Sequence, residues 1–381
     1  MNLRSHLLAG HVIPAQPLAL DHARCFSEKH QRALTRYYVA AGAGGLAVGV
    51  HSTQFEIRLP QHALFRPVLE LAAETVRAEL ARQDNTPAAV TQVGTPLRGV
   101  RGGLGEPPQP SDLRATPRDF ALIAGICGKT PQALAEAELA RSLGYHAGLV
   151  SMAAFPVESE DLVIAHIAAI AELIPVVGFY LQPAVGGRVF SYAFWRRFAE
   201  IPGVVAIKLA PFNRYQTLDV VRAVVAAGRD DLALYTGNDD TIVTDLLTPF
   251  VFSHQGRPVT RRIVGGLLGH WGVWTHSAVA LFREIKTALR TPPLDAAWLT
   301  RAAAVTDMNA AVFDAANRFH GCIPGILEVL RRQGLVETAH CLNPAEVLSP
   351  GQAAELDRVT AAYPDLVDDA FVAKHRDAWL R

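Results

Sequence analysis

"VVAIKLAPF", residues 204–212, sets a single lysine inside an otherwise apolar run. Strand alternation puts Val204, Ala206, Lys208 and Ala210 on one face and Val205, Ile207 and Leu209 on the other. The second face suits packing against helices. The first carries small alanines beside an amine, which suits an enclosed interior. An ammonium buried there is costly, because burial disfavours the charged form and drags a lysine pKa down. The chain holds 36 basic residues, yet only five are lysines: Lys29, Lys129, Lys208, Lys286 and Lys374. Arginine is therefore the default cation, and the amine that can lose its proton stands where its charge is least welcome.

Working outward, short runs rich in Val, Ile, Leu and Ala recur with longer amphipathic segments between them, the pattern of strand-helix units around a parallel sheet. They are "HVIPAQ" near residue 11, "GLAVGV" (45–50), "ALIAGIC" (121–127), "GLVSM" (148–152), "VVGFY" (176–180), "VVAIKLA" (204–210), "LALYTG" (232–237) and "GVWT" (272–275). Eight such strands close a barrel. The helical segment "TPQALAEAELARSLG" (130–144) is framed by Thr130 as N-cap, Pro131 at the first turn and Gly144 as the stop. The expected fold is α/β: a (β/α)8 TIM barrel over residues 1–290 with a C-terminal helical appendage over 291–381.

Two stretches interrupt the rhythm. Residues 94–118, rich in Gly, Pro and Arg, read as a long insertion, and residues 249–263 as two short strands around "HQGRP". After residue 290, Ala- and Leu-rich segments at 295–319, 323–333, 350–362 and 366–379 read as helices. Such a layer suits packing on its own barrel or on a neighbouring copy, so a homo-oligomer, dimer or tetramer, is expected.

Acidic and basic residues balance at 36 each, which gives no basic stripe for nucleic acid and no charge bias toward a membrane surface. Cys25, Cys127, Cys322 and Cys341 are scattered without paired spacing, against a disulfide framework or zinc ribbon. The N-terminal stretch lacks a signal-peptide pattern and no apolar run approaches membrane-spanning length, so a cytoplasmic protein acting on a small molecule is expected.

At the strand ends, Val176, Gly178 and Tyr180 share a parity, and adjacent strands run about 5 Å apart, so Tyr180 is expected at the same rim as Lys208. A desolvated lysine forms a Schiff base with a carbonyl, and a phenol beside it relays protons. From the residues alone an equal reading stands: Lys208 snorkels to Asp239 or Asp240, and Tyr180 caps the core.

The stretch 174–210, "IPVVGFYLQPAVGGRVFSYAFWRRFAEIPGVVAIKLA", resembles the dihydrodipicolinate synthase and N-acetylneuraminate lyase family of class I aldolases, with Tyr180 and Pro183 on its Y-x-x-P segment and Lys208 on its V-x-I-K strand. Residues 41–53, 124–150, "YTGNDD" (235–240) and 322–336 extend the likeness over most of residues 10–360. The resemblance implies a Schiff-base lysine at Lys208, a proton-relaying tyrosine at Tyr180, a homotetramer, and no metal or organic cofactor. It also implies a pyruvate-like 2-keto acid or sugar-acid substrate. There are departures. The family's G-T-T-G-E is replaced by Gly49, Val50, His51, Ser52 and Thr53, which leaves His51, Ser52 and Thr53 as the substitutes for carboxylate binding, with Gly237 on the turn corresponding to S-G-D-D. A tyrosine pair after the fourth strand becomes "SMAAF", and the synthases' arginine position is Val185, with Arg188 the nearest candidate. These changes argue against true dihydrodipicolinate synthesis and point to another lyase, aldolase or hydro-lyase reaction.

Two other classes remain. A non-catalytic relative would keep the barrel and bind a small ligand or partner. A metal-dependent hydrolase would use His51, His254, His270, His276 and Asp239, but H-x-H on the first strand and H-E-x-x-H are both missing.

Overall fold

The computed structural model describes residues 1–84 and 119–381. The insertion read at 94–118 lies outside the described residues. A short helix α1 (Leu3–Ala9) leads into β1 (Val12–Pro14), followed by α2 (Glu28–Ala40), β2 (Gly45–Val48), α3 (Phe65–Asp84), β3 (Ala121–Ile126), α4 (Thr130–Ser142) and β4 (Ala147–Ser151). Then come α5 (Glu160–Ala171), β5 (Val176–Leu181), α6 (Tyr192–Glu200), β6 (Val204–Ala210), α7 (Arg214–Ala226), β7 (Ala233–Thr236) and α8 (Ile242–Leu247). An antiparallel pair, β8 (Phe250–His254) and β9 (Arg257–Arg261), precedes β10 (Gly265–Leu268) and α9 (Thr275–Ala288). The helices α10 (Ala297–Val312), α11 (Cys322–Arg332), α12 (Gln352–Ala362) and α13 (Asp369–Trp379) complete the chain. Among the described residues no helix is long and apolar enough to cross a membrane.

The eight-stranded sheet runs in the order β1-β10-β7-β6-β5-β4-β3-β2, its neighbours parallel, and a parallel bridge between Ala15 and Ala47 joins its two edges. This is a (β/α)8 barrel. Its last strand is β10, not "GVWT", which instead spans the end of a 3-10 turn (His270–Gly272) and the start of α9. The "GGLL" of β10 has little strand propensity, but its glycines answer to close approach: a Cβ on Gly265 would stand 2.6 Å from the His11 backbone. The helix read at 295–319 ends at Val312, because Asp314, Arg318 and Phe319 take positive φ values of 57°, 56° and 66°.

Packing fills both sides of the sheet. Inside the barrel, Ile13, Ala47, Ile123, Leu149, Val177, Phe179, Val205, Ala206 and Tyr235 form one buried cluster, into which Leu7 of α1 inserts from below. Outside, the opposite parity packs on the helices. Gly178 lies under Phe198, where a Cβ would come within 2.6 Å of the ring, and Tyr180 stacks toward Trp195 at 4.7 Å. Fully burying each such aromatic ring stabilises the fold by roughly 1.5–3 kcal/mol.

The parity expected for β5 and β6 is therefore corrected. Val176 pairs with Val204 but Val177 pairs with Ala206, so Val205 is an extra residue and the register shifts. Val205 and Ala206 both join the interior cluster, Val204 faces the helices, and from Ile207 onward the even residues of β6 face in. On β5 the odd residues face in.

Candidate active site

The ends of β1, β2, β5, β6, β7 and β10 surround one pocket at the C-terminal mouth of the barrel, the end where catalytic residues gather in this architecture. Lys208 rises from the last turn of β6 and is only 8% exposed. Its Nζ stands 4.3 Å from the centre of the Phe179 ring, and among the described residues it makes no hydrogen bond or salt bridge within 4 Å. Burial pulls the amine well below the ordinary lysine range, and the charge of Asp239 opposes that pull.

Space for the side chain comes from Gly237, which follows β7. A Cβ at that position would lie 2.6 Å from Lys208 Cε and 2.9 Å from Ala210 Cβ. Next to it Asp239, 5% exposed, accepts a hydrogen bond from the His270 backbone N–H at 3.0 Å. Burial pushes its carboxyl upward, against the pull of Lys208 and of that N–H. Burial thus lowers the proton affinity of the amine and raises that of the carboxylate, bringing the two toward each other, which favours acid-base chemistry.

A polar network fixes the turn between them. Asn238 accepts from the Phe212 N–H at 2.9 Å and donates to Thr217 at 3.2 Å and to Asp245 at 3.0 Å. Asp245, fully buried, also receives Thr236 Oγ1 at 2.7 Å and Arg214 at 2.6 Å. The end of β6, carrying Lys208, is thereby tied to the end of β7, carrying Asp239. Satisfied buried networks of this kind hold one geometry.

The segment after β2 forms a 3-10 turn, His51–Thr53. His51 lines the pocket, and burial together with the nearby Lys208 lowers its pKa to about 4, so it is neutral at physiological pH. Ser52 also lines the pocket, but its hydroxyl donates to Ala15 O at 3.0 Å. Thr53 faces away. Its hydroxyl donates to Gln16 O at 2.7 Å and accepts the N–H groups of Gly49 and Val50 at 3.0 and 3.2 Å, so it braces the loop.

The sequence-based site is thus brought together in part. Lys208, His51, Ser52 and Gly237 line the pocket. Tyr180 does not: it points to the helix layer, against Trp195 and Phe190, and Phe179 occupies the inward position opposite Lys208. Arg188 is also elsewhere, its guanidinium donating to Phe155 O at 2.9 Å and Glu158 O at 2.7 Å, a strut between loops. Of the histidines weighed as metal ligands, His254 sits on the β8 hairpin and His276 stacks on Phe371, so neither joins His51 and Asp239. Sequence reasoning weighed Asp239 as a salt-bridge partner or a metal ligand, not as an acid-base group. It missed the ceiling, where Phe313, Phe319, Cys322 and Ile326 arrive from the C-terminal helices and Phe319 meets Phe212 edge to face at 5.8 Å.

A parallel eight-stranded barrel with a desolvated lysine at its C-terminal mouth defines the architectural class. Among solved structures the chain is similar to a monomeric dihydrodipicolinate synthase variant, with a TM-score of 0.67 and 16% identity over 94% of this chain and 98% of the other. It is similar to the N-acetylneuraminate lyase of Fusobacterium nucleatum, with a TM-score of 0.65 and 13% identity over 93% and 99%. The dihydrodipicolinate synthase of Agrobacterium tumefaciens gives 0.66 and 18% over 96% and 100%. No family model matches the chain, and no curated protein matches it. At these identities the likeness establishes the shared fold.

Proposed function

We propose that the chain is a divergent member of the group formed by these synthases and lyases and acts as a Schiff-base lyase through Lys208. One observation carries the reading: a buried amine without a hydrogen-bonding partner among the described residues stands at the C-terminal mouth of the barrel, where burial favours its neutral, nucleophilic form. The lone pair of Nζ attacks a substrate carbonyl carbon. The oxygen leaves as water after proton transfer, giving an iminium. The carboxylate of Asp239 takes the proton of a β-hydroxyl, the adjacent carbon–carbon bond breaks, its electron pair moves into the iminium to form an enamine, and an aldehyde departs. Asp239 then returns its proton to the enamine carbon, and water hydrolyses the iminium to release a ketone and free Lys208.

Asp239 takes the relay role in place of Tyr180, whose hydroxyl is turned from the pocket. Oligomeric assembly of two or four copies belongs to the same proposal. A non-catalytic binding role is the second reading, favoured by the phenyl ring of Phe179 at the position facing Lys208. Borohydride trapping separates the two. Incubation with carbonyl compounds and reduction is expected to leave a mass increase on the Lys208 peptide that Lys208→Ala lacks. No adduct from pyruvate, longer 2-keto acids or simple ketones would end the lyase reading.

A further inference from the structure

The pocket around Lys208 contains an inventory of charge and of hydroxyl protons that does not suit a 2-keto acid. Among the described residues Lys208 is its only strong cation, and Asp239 already supplies the matching anion. Among the described residues no arginine lines the pocket. The nearest one expected from sequence, Arg188, is spent on two carbonyls on the far side of β5. Arg214 is committed to Asp245, and Arg58 to Glu136 and two further carbonyls. The two hydroxyls that would replace the usual pair are committed too. Each has a single proton, and Ser52 gives its own to Ala15 O while Thr53 gives its own to Gln16 O. A substrate carboxylate would therefore place a second anion beside Asp239 with only neutral donors, the Gln182 amide and the His51 imidazole, among the described lining side chains to receive it. Burying an unmatched charge costs several kcal/mol.

Apart from His51 and Gln182, the remaining walls are apolar and aromatic. Phe179 lies beneath the amine, Leu181 flanks it, and Phe212, Phe313, Phe319 and Ile326 form the ceiling. Phe212 and Phe319 hold φ values of 51° and 66°, a region that bulky residues seldom adopt. Backbone strain at both ends of one aromatic contact, in a segment otherwise pinned by Asn238, marks these rings as placed for the site.

We propose that Lys208 takes an uncharged ketone or aldehyde bearing an aryl or branched alkyl group, which lies between Phe179 and the Phe212–Phe319 pair, in preference to a 2-keto acid. This inference rests on the Schiff-base reading above and narrows its substrate. A planar apolar substituent gains burial against four rings, and among the described residues the iminium keeps Asp239 as its counter-charge.

The test uses two matched pairs in which a methyl replaces a carboxylate: acetone against pyruvate, and phenylacetone against phenylpyruvate. Each is incubated with the full chain at neutral pH and reduced with borohydride. The adduct on the Lys208 peptide is divided by the adduct formed on free Nα-acetyl-lysine in the same solution, which removes the greater intrinsic reactivity of the oxo acids. The normalised Lys208 adduct with phenylacetone is expected to exceed that with phenylpyruvate by tenfold or more and to exceed that with acetone. In Asp239→Asn, which removes the competing anion, phenylpyruvate is expected to close most of that gap. Equal or stronger trapping of the oxo acids would overturn this inference while leaving the Schiff-base reading intact. Absence of a Lys208 adduct from all four compounds would overturn both.

Discussion

The two ends of the barrel each hold a lysine against a packed interior, and they treat it differently. At the N-terminal end α1 is docked tightly: Tyr235 donates to Leu7 O at 2.8 Å, His6 contacts Gly44 O at 2.7 Å, and Lys286 donates to Ala9 O and Gly10 O at 2.7 and 3.1 Å. There the amine terminates a helix, and its charge complements the carbonyls it meets. At the C-terminal end Lys208 has an aromatic ring, a buried carboxylate in its field and no hydrogen-bonding partner among the described residues. The same side chain stabilises one end and leaves a reactive group at the other. Stability and chemistry are divided along the barrel axis.

Substitutions sharpen that division. The largest effect is expected at Asp239. Asp239→Asn should slow proton exchange at the α-carbon of a bound ketone in heavy water by about 10²–10⁴-fold, the usual worth of a positioned acid-base group. Trapping should survive, and its pH inflection should move downward, since loss of the anion makes the Lys208 ammonium still less favourable. A fall below tenfold would remove Asp239 from the relay. Gly237→Ala comes next. Its Cβ would meet Lys208 Cε at 2.6 Å, so trapping should slow by about tenfold or more as the amine is displaced, with an unchanged circular dichroism spectrum.

At the other end, Lys286→Met should leave trapping untouched and lower the unfolding free energy by about 1–3 kcal/mol, read from urea melts, because two carbonyls lose their donor. Impaired trapping there would break the separation between the two ends. The smallest effect is expected from Tyr180→Phe: α-proton exchange within about twofold of the parent, because the hydroxyl lies among Trp195 and Phe190 and not in the pocket.

Much of this organisation was legible in the amino-acid order. Apolar runs separated by amphipathic segments gave seven of the eight strands, and β6 was read at its observed limits of Val204 and Ala210. The eighth was obscured because Gly265 answers to close approach of the His11 backbone and Gly266 to the Trp271 ring, which strand propensity does not record. Lys208 was legible because a charge in an apolar strand is costly and so stands out. Tyr180 misled for a physical reason. Alternation fixes which residues of one strand share a face, but not which face turns inward, and the extra residue at Val205 resets the phase between β5 and β6. Phe179 faces Lys208 as a result. The part of the ceiling supplied by Phe313, Phe319, Cys322 and Ile326 lies more than 100 residues from Lys208 in the chain, and only tertiary packing brings Phe319 to Phe212.

The account rests on an amine whose pKa is lowered by burial. Reductive methylation with ¹³C-formaldehyde labels the five lysines and the N-terminus, and the resonance lost in Lys208→Ala identifies the one in the site. Burial lowers the folded-state pKa of Lys208, so its resonance is expected to titrate below the ordinary lysine value of about 10.4. The sign extends to stability: between the lowered pKa and the unfolded one the unfolded chain binds more protons, so folding should strengthen as pH rises through that window. A Lys208 resonance titrating at or above the ordinary value would contradict the account, because the amine would then be a stably charged group and not a nucleophile in waiting.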